Sequence, residues 1–102
     1  MFNKDPKAGQ DNQEPKLPKG KFRLKVHAPF KVYYDDVVSS ISAVNATGPF
    51  DILGEHHNFI TLLSPCELVI RQETDSADPT KIKITRGIMQ VKTNDVVVFL
   101  DV

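Results

Sequence analysis

An all-β fold is predicted for this chain: a small β-sandwich of about eight to ten short antiparallel strands, preceded by a disordered tail. Three observations predict it. Apolar and polar residues alternate with period two in segment after segment, as in Phe22, Leu24 and Val26 against Arg23, Lys25 and His27. Turn-type residues punctuate those segments at short spacing: Pro29, Gly48-Pro49, Ser64-Pro65 and Thr93-Asn94-Asp95. No stretch carries the 3.6-residue period of a helix, and short strands at such spacing describe a sandwich or barrel.

Residues 1–21 are rich in Lys, Asp, Gln, Asn, Gly and Pro, with Leu17 the only large aliphatic after Phe2. Such a composition buries too little apolar surface to offset ordering entropy, so a disordered polar tail is expected here and the sandwich domain over 22–102. Its lysines, Lys4, Lys7, Lys16, Lys19 and Lys21, outnumber Asp5, Asp11 and Glu14. Order is expected from Phe22, in a strand that Pro29 ends. Val32 to Tyr34 predicts a short second strand, Asp35-Asp36 a turn, and Val37 to Val44 a third strand with Ile41 and Ala43 on one face. After the break at Asn45 to Pro49, Phe50, Ile52 and Leu53 form the next apolar piece. The polar corner Gly54 to Asn58 leads into a strand over Phe59 to Leu63. Ser64 to Glu67 then turns the chain into Leu68 to Gln72. Glu73 to Thr80 is a loop with no apolar side chain larger than Ala77, and it is expected to be mobile. Ile82 and Ile84 alternate with Lys81 and Lys83. Gly87 marks a bend or bulge, and Ile88 to Val91 pairs through Thr93-Asn94-Asp95 with Val96 to Leu100.

Length and charge bound the function. At 102 residues the chain forms one domain with one modest core. Thirteen basic and thirteen acidic residues cancel, so no overall field holds nucleic acid or an anionic membrane, and neither is an expected partner. The longest apolar run, Val96 to Leu100, has strand length, far below the ~20 residues of a spanning helix, and no direct membrane insertion is expected. Met1-Phe2 runs at once into Asn3, Lys4 and Asp5 without the apolar stretch of a signal peptide. Cys66 is the only cysteine, so no internal disulfide forms, in keeping with a cytoplasmic, reducing setting.

The residues that carry chemistry do not converge. His56-His57 with Glu55 and Asp51 is the one clustering of metal-type ligands, but adjacent histidines on an extended segment point to opposite sides, and a zinc site needs at least three convergent ligands. Cys66 follows Pro65 in a turn with no local signature of a nucleophile, and reads as a small, partly buried thiol. Asp35-Asp36 reads as an exposed pair, not an acid-base dyad in an apolar pocket. The glycines are scattered singly and form no phosphate-cradling loop. No enzyme, cofactor or metal is therefore expected. Packing and interface remain: Tyr33, Tyr34, Phe50 and Phe59 are candidate core aromatics, and Phe50, just after the Gly48-Pro49 break, is equally a candidate contact residue.

From Phe22 onward the features resemble, in order, the amino-terminal β-sandwich of the ATP synthase epsilon subunit, called delta in mitochondria. Tyr34, Asp36 and Val38 match that family's aromatic, turn and valine positions. Gly48, Phe50 and Ile52-Leu53 match its glycine, large apolar residue and aliphatic pair. Gly54-Glu55-His56-His57-Asn58 stands where the family has Pro-Gly-His-Ala-Pro, with the histidine in register and both prolines replaced. Ile60-Thr61-Leu62-Leu63 follows as its aliphatic strand, Pro65-Cys66 departs from its Pro-Gly turn, and Arg86-Gly87-Ile88-Met89-Gln90-Val91 is similar to Gly-Gly-Ile-Leu-Glu-Val.

The resemblance implies a non-catalytic stalk part of a proton-translocating F-type ATP synthase, linking the gamma subunit to the c ring and associated with the inner membrane only through that complex. By position it implies that Asn45, Thr47, Gly48 and Phe50 lie toward the c ring and that His56 and Thr61 lie near gamma. Family members usually continue into a helical hairpin, which would begin where this sequence stops at Val102. The alternative is a free-standing sandwich that has kept the fold and binds another protein, since a fold alone does not fix function.

Overall fold

Alternation of apolar and polar residues governs the strands, because every second side chain of a strand faces the same side. In the computed structural model, which describes residues 17–54, 57–73 and 78–101, nine strands form. They are β1 (Phe22–Ala28), β2 (Lys31–Val38), β3 (Ser40–Asn45), β4 (Gly48–Leu53), β5 (Phe59–Leu63), β6 (Cys66–Arg71), β7 (Thr80–Ile84), β8 (Gly87–Lys92) and β9 (Asp95–Leu100). Two sheets stack, a five-stranded one in the order β2-β1-β9-β8-β5 and a four-stranded one in the order β4-β3-β6-β7.

The predicted sandwich is borne out, with one departure from an all-antiparallel arrangement. β1 and β9 run parallel, from Arg23 beside Asp95 to His27 beside Phe99, which seats the last strand between β1 and β8. The Arg23 N–H also donates to the Asn94 carbonyl at 2.9 Å, tying the β8–β9 turn to the start of β1.

The core forms between the sheets from the residues that alternation marks. Phe22, Leu24 and Val26 of β1 are fully buried, with Met89 and Val91 of β8, Val96 and Val98 of β9, Ile41 of β3 and Leu68 and Ile70 of β6 around them. Burying such side chains contributes roughly 1.5–3 kcal/mol each before the ordering entropy is counted.

Several local expectations are corrected. Asp35-Asp36 is not a turn: both lie within β2, paired with Lys25 and Leu24. β2 is an edge strand, so carboxylates can stay wet there without leaving the ladder. The break falls instead at Ser39, where the chain passes from one sheet to the other. There the Ser39 N–H donates to the Arg71 carbonyl at 2.8 Å, and its hydroxyl donates to the Gln72 carbonyl at 2.9 Å. Gly87 is not a bulge, because it pairs in register with Leu100; the register shift lies between Val26 and His27. Of the aromatic residues expected in the core, Tyr33 and Phe59 are about 40% exposed, at 39% and 40%, while Tyr34 and Phe50 are partly buried against it.

Order also begins earlier than Phe22. Lys21 donates its N–H to the Pro18 carbonyl at 3.1 Å, and its ammonium meets the Glu73 carboxylate at 2.5 Å and the Gln72 carbonyl. Residues 17–21 thus belong with the sandwich, whereas 1–16 of the expected tail lie outside the described residues. So do residues 74–77 of the loop expected to be mobile. Gly54, which stands where the family has proline, lets this segment approach: a Cβ at Gly54 would lie 2.7 Å from the Gly20 carbonyl carbon.

Gly87 answers to the same kind of contact. A Cβ there would lie 2.7 Å from the Phe99 carbonyl oxygen and 3.3 Å from a Leu100 methyl. Backbone in a paired strand does not yield easily, so Gly87→Ala is expected to cost about 1–3 kcal/mol. Thermal unfolding followed by circular dichroism should then show a melting temperature lower by roughly 5–15 °C. An unchanged transition would contradict the close approach.

Candidate docking surface

The five-stranded sheet has one face on the core and one outside. Following the pairing across it, Val32 of β2 lies beside His27 of β1, His27 beside Phe99 of β9, Phe99 beside Ile88 of β8, and Ile88 beside Leu62 of β5. One residue from each strand therefore forms a lateral row on the outer face, some 19 Å across at ordinary strand spacing. The four apolar members are all substantially exposed, from 44% at Ile88 to 70% at Leu62. The His27 ring meets Phe99 edge-on, with centroids 4.5 Å apart and planes at 63°, which holds the middle of the row.

The adjoining row reads Asp35, Lys25, Val97, Gln90 and Ile60. The next includes Arg23, Asp95 and Lys92. The face thus grades from apolar to charged along the strands, with apolar character continuing down β5 through Ile60, 66% exposed. An open depression of about 550 Å³ lies along the apolar side, lined among others by Leu62, Ile88, Phe99 and Leu100. At its rim the Arg86 guanidinium meets the Asp101 carboxylate at 2.6 Å. Both partners are largely exposed, so this ion pair adds little stability. Exposed apolar side chains gathered on one sheet face make this a candidate protein-binding surface.

The residues singled out from sequence distribute differently. Asn45, Thr47 and Gly48 form the tip between β3 and β4, closed by a hydrogen bond from the Thr47 N–H to the Asn45 side-chain oxygen at 2.9 Å. Gly48 has φ of 126°, which only glycine adopts readily. The Asn45 amide also donates to the Thr61 hydroxyl at 3.1 Å, so two residues expected to face different partners are joined within the domain. Phe50 turns inward on β4 and packs against the core. Glu55 and His56 lie outside the described residues; His57 is exposed in the connection to β5.

Cys66 is a free, partly buried thiol packed against the core, as its sequence context predicts. The Tyr34 hydroxyl is buried, and burial first, then the nearby Asp36 charge, raises its pKa above 10.0. Among the described residues no three His, Cys, Asp or Glu side chains are placed to hold a metal ion.

Missing from the sequence reading were Val32, His27, Phe99, Ile88, Leu62 and Ile60 as members of one surface. A signal was present. Phe59 to Leu63 and Val96 to Leu100 are nearly continuous apolar runs, and a sheet with only one covered face leaves half of such a run in solvent.

Fold and surface together define a β-sandwich with one broad outer face that carries exposed apolar side chains. The chain belongs to the family of the ATP synthase delta/epsilon chain β-sandwich domain, whose sequence model matches residues 21–102. The ATP synthase epsilon chain of Clostridium novyi is 30% identical over 80 residues, which make up 78% of this chain and 60% of that protein. That of Clostridium perfringens is 32% identical over 76 residues, 74% of this chain and 56% of that one. The chain thus spans between half and two-thirds of the length of these relatives. In structure it is similar to a chain of the Euglena gracilis mitochondrial ATP synthase, with a TM-score of 0.72 and 17% identity, covering 92% of this chain and 59% of that one. A chain in the central stalk and c ring of the Tetrahymena thermophila mitochondrial enzyme gives a TM-score of 0.64 and 19% identity, covering 78% and 62%. At these identities the structural likeness speaks for the fold.

Proposed function

We propose that this protein is a rotor component of an F-type ATP synthase, placed in the central stalk between a gamma-type subunit and the c ring, and bound to the membrane only through that assembly. The observation that carries the reading is the row of exposed apolar side chains Val32, Phe99, Ile88 and Leu62, bridged by His27, on a chain of the delta/epsilon family. A sandwich that turns with a shaft needs one broad face held by another protein, and apolar area supplies such holding without chemistry. In this reading the outer face of the five-stranded sheet meets gamma; His56 and Thr61 are assigned to gamma by the resemblance, although Thr61 points to the other side of β5 and bonds Asn45. The β3–β4 tip, through Asn45, Thr47 and Gly48, meets the polar loops of the ring. Phe50 supports that tip from inside.

Affinity isolation of the protein from the native membrane fraction, followed by identification of what accompanies it, tests the proposal. Gamma, alpha, beta and c subunits in the isolate are expected. Recovery with other proteins and none of these would overturn it and leave a free-standing binding module.

A further inference from the structure

Strand β5 closes one side of the five-stranded sheet, and it differs from the other three edges of the sandwich. β2 carries Lys31, Asp35 and Asp36, β4 carries Pro49 and Asp51, and β7 carries Lys81 and Lys83. Charges and proline keep an open edge from pairing with another chain, since pairing would desolvate the charge or meet a missing donor. β5 reads Phe59-Ile60-Thr61-Leu62-Leu63, with neither.

Among the described residues no strand lies beyond β5. Its far end is tied to the other sheet, where the Ser64 N–H donates to the Val44 carbonyl at 2.9 Å. The Leu62 carbonyl accepts a long hydrogen bond from the Thr61 hydroxyl at 3.4 Å; among the described residues the outer edge otherwise offers backbone donors and acceptors, which call for an extended backbone as their complement. Its outward side chains, Ile60 and Leu62, call for apolar neighbours. Five residues span only about 17 Å, too little area to hold a partner against the cost of association. The occupant must therefore also cover the apolar row that Leu62 shares with Ile88 and Phe99, and that row is continuous with β5.

We infer that β5 is a strand-addition site: the gamma-type partner lays an extended segment of alternating apolar residues along Phe59–Leu63, and one sheet runs through both proteins. This rests on the rotor reading above, which names the partner. It goes beyond that reading by making backbone hydrogen bonds, and not side-chain packing alone, the means of attachment. A short strand pinned in this way also fixes the angle between the two proteins, which a sliding apolar contact does not.

The test uses the isotope-labelled full chain, alone and in complex with the gamma subunit of the source organism's own synthase. Expected in the complex are nuclear Overhauser contacts between backbone protons of β5 and backbone protons of gamma. Those β5 amides not bonded to β8 should also exchange at least 100-fold more slowly than in the free chain. Ile60→Lys, which puts a guard on the open edge, should weaken binding at least tenfold, with the free variant's spectrum checked for the native fold. Binding without the interchain backbone contacts would overturn strand addition and leave the rotor reading standing. No binding of gamma would overturn both. The same contacts in the free chain, from a second copy of itself, would overturn the assignment of the edge to gamma.

Discussion

Replacing Phe50 by Asp is expected to destabilise the isolated protein strongly, lowering its melting temperature by about 10–20 °C. Phe50 lies on β4 opposite Ala43, and its ring packs against the core without being fully enclosed. The change removes that packing and sets a carboxylate against apolar side chains, a loss of roughly 2–4 kcal/mol from a stability of only ~5–15. Recovery of the variant in assembled synthase should fall in proportion to that loss of stability. A variant that melts normally yet does not assemble would return Phe50 to the interface.

Leu62→Asp should do the reverse. Leu62 is 70% exposed and lies opposite Ile88 at the end of the outer row, so the isolated chain should melt within about 4 °C of the unaltered protein, as surface changes usually do. On docking, the new carboxylate would be desolvated with no cation on the row to meet it, an effect of order 2–5 kcal/mol. That corresponds to affinity for the partner lower by at least ~30-fold, measurable by titration calorimetry with purified gamma. Normal affinity would show that the apolar row is not the docking surface. Run side by side, the two variants separate residues that hold the domain together from residues that hold it to something else.

The pair also shows where sequence and structure divide the labour. Strand content was legible because period two is written into Phe22-Leu24-Val26 and Ile41-Ala43, and each of those residues is buried. The partly buried thiol of Cys66 and the break between β3 and β4 were legible for similar local reasons. Asp35-Asp36 was misread, since paired acids favour turns in isolation, and only the position of β2 at an edge lets them remain in a strand. Gly87 was misread as well. A bulge and a tight strand crossing both call for glycine, and the sequence does not distinguish them.

By itself, then, the sequence determined the fold class and, through the ordered features from Tyr34 to Val91, the family. It did so because alternation and turn chemistry are local, set by neighbours two to four residues away. Tertiary structure alone decided which apolar residues face water. Val32, His27, Phe99, Ile88 and Leu62 come from five strands spread along the chain, and nothing in their separate segments says that they form one row. That follows from the order β2-β1-β9-β8-β5, in which the parallel pairing of the first and last strands brings residue 27 beside residue 99. The unguarded edge at β5 was hidden for the same reason: whether a strand is an edge depends on which others lie beside it, and among the described residues the four-stranded sheet, closed by β4 and β7, leaves β5 without a neighbouring strand on its outer side.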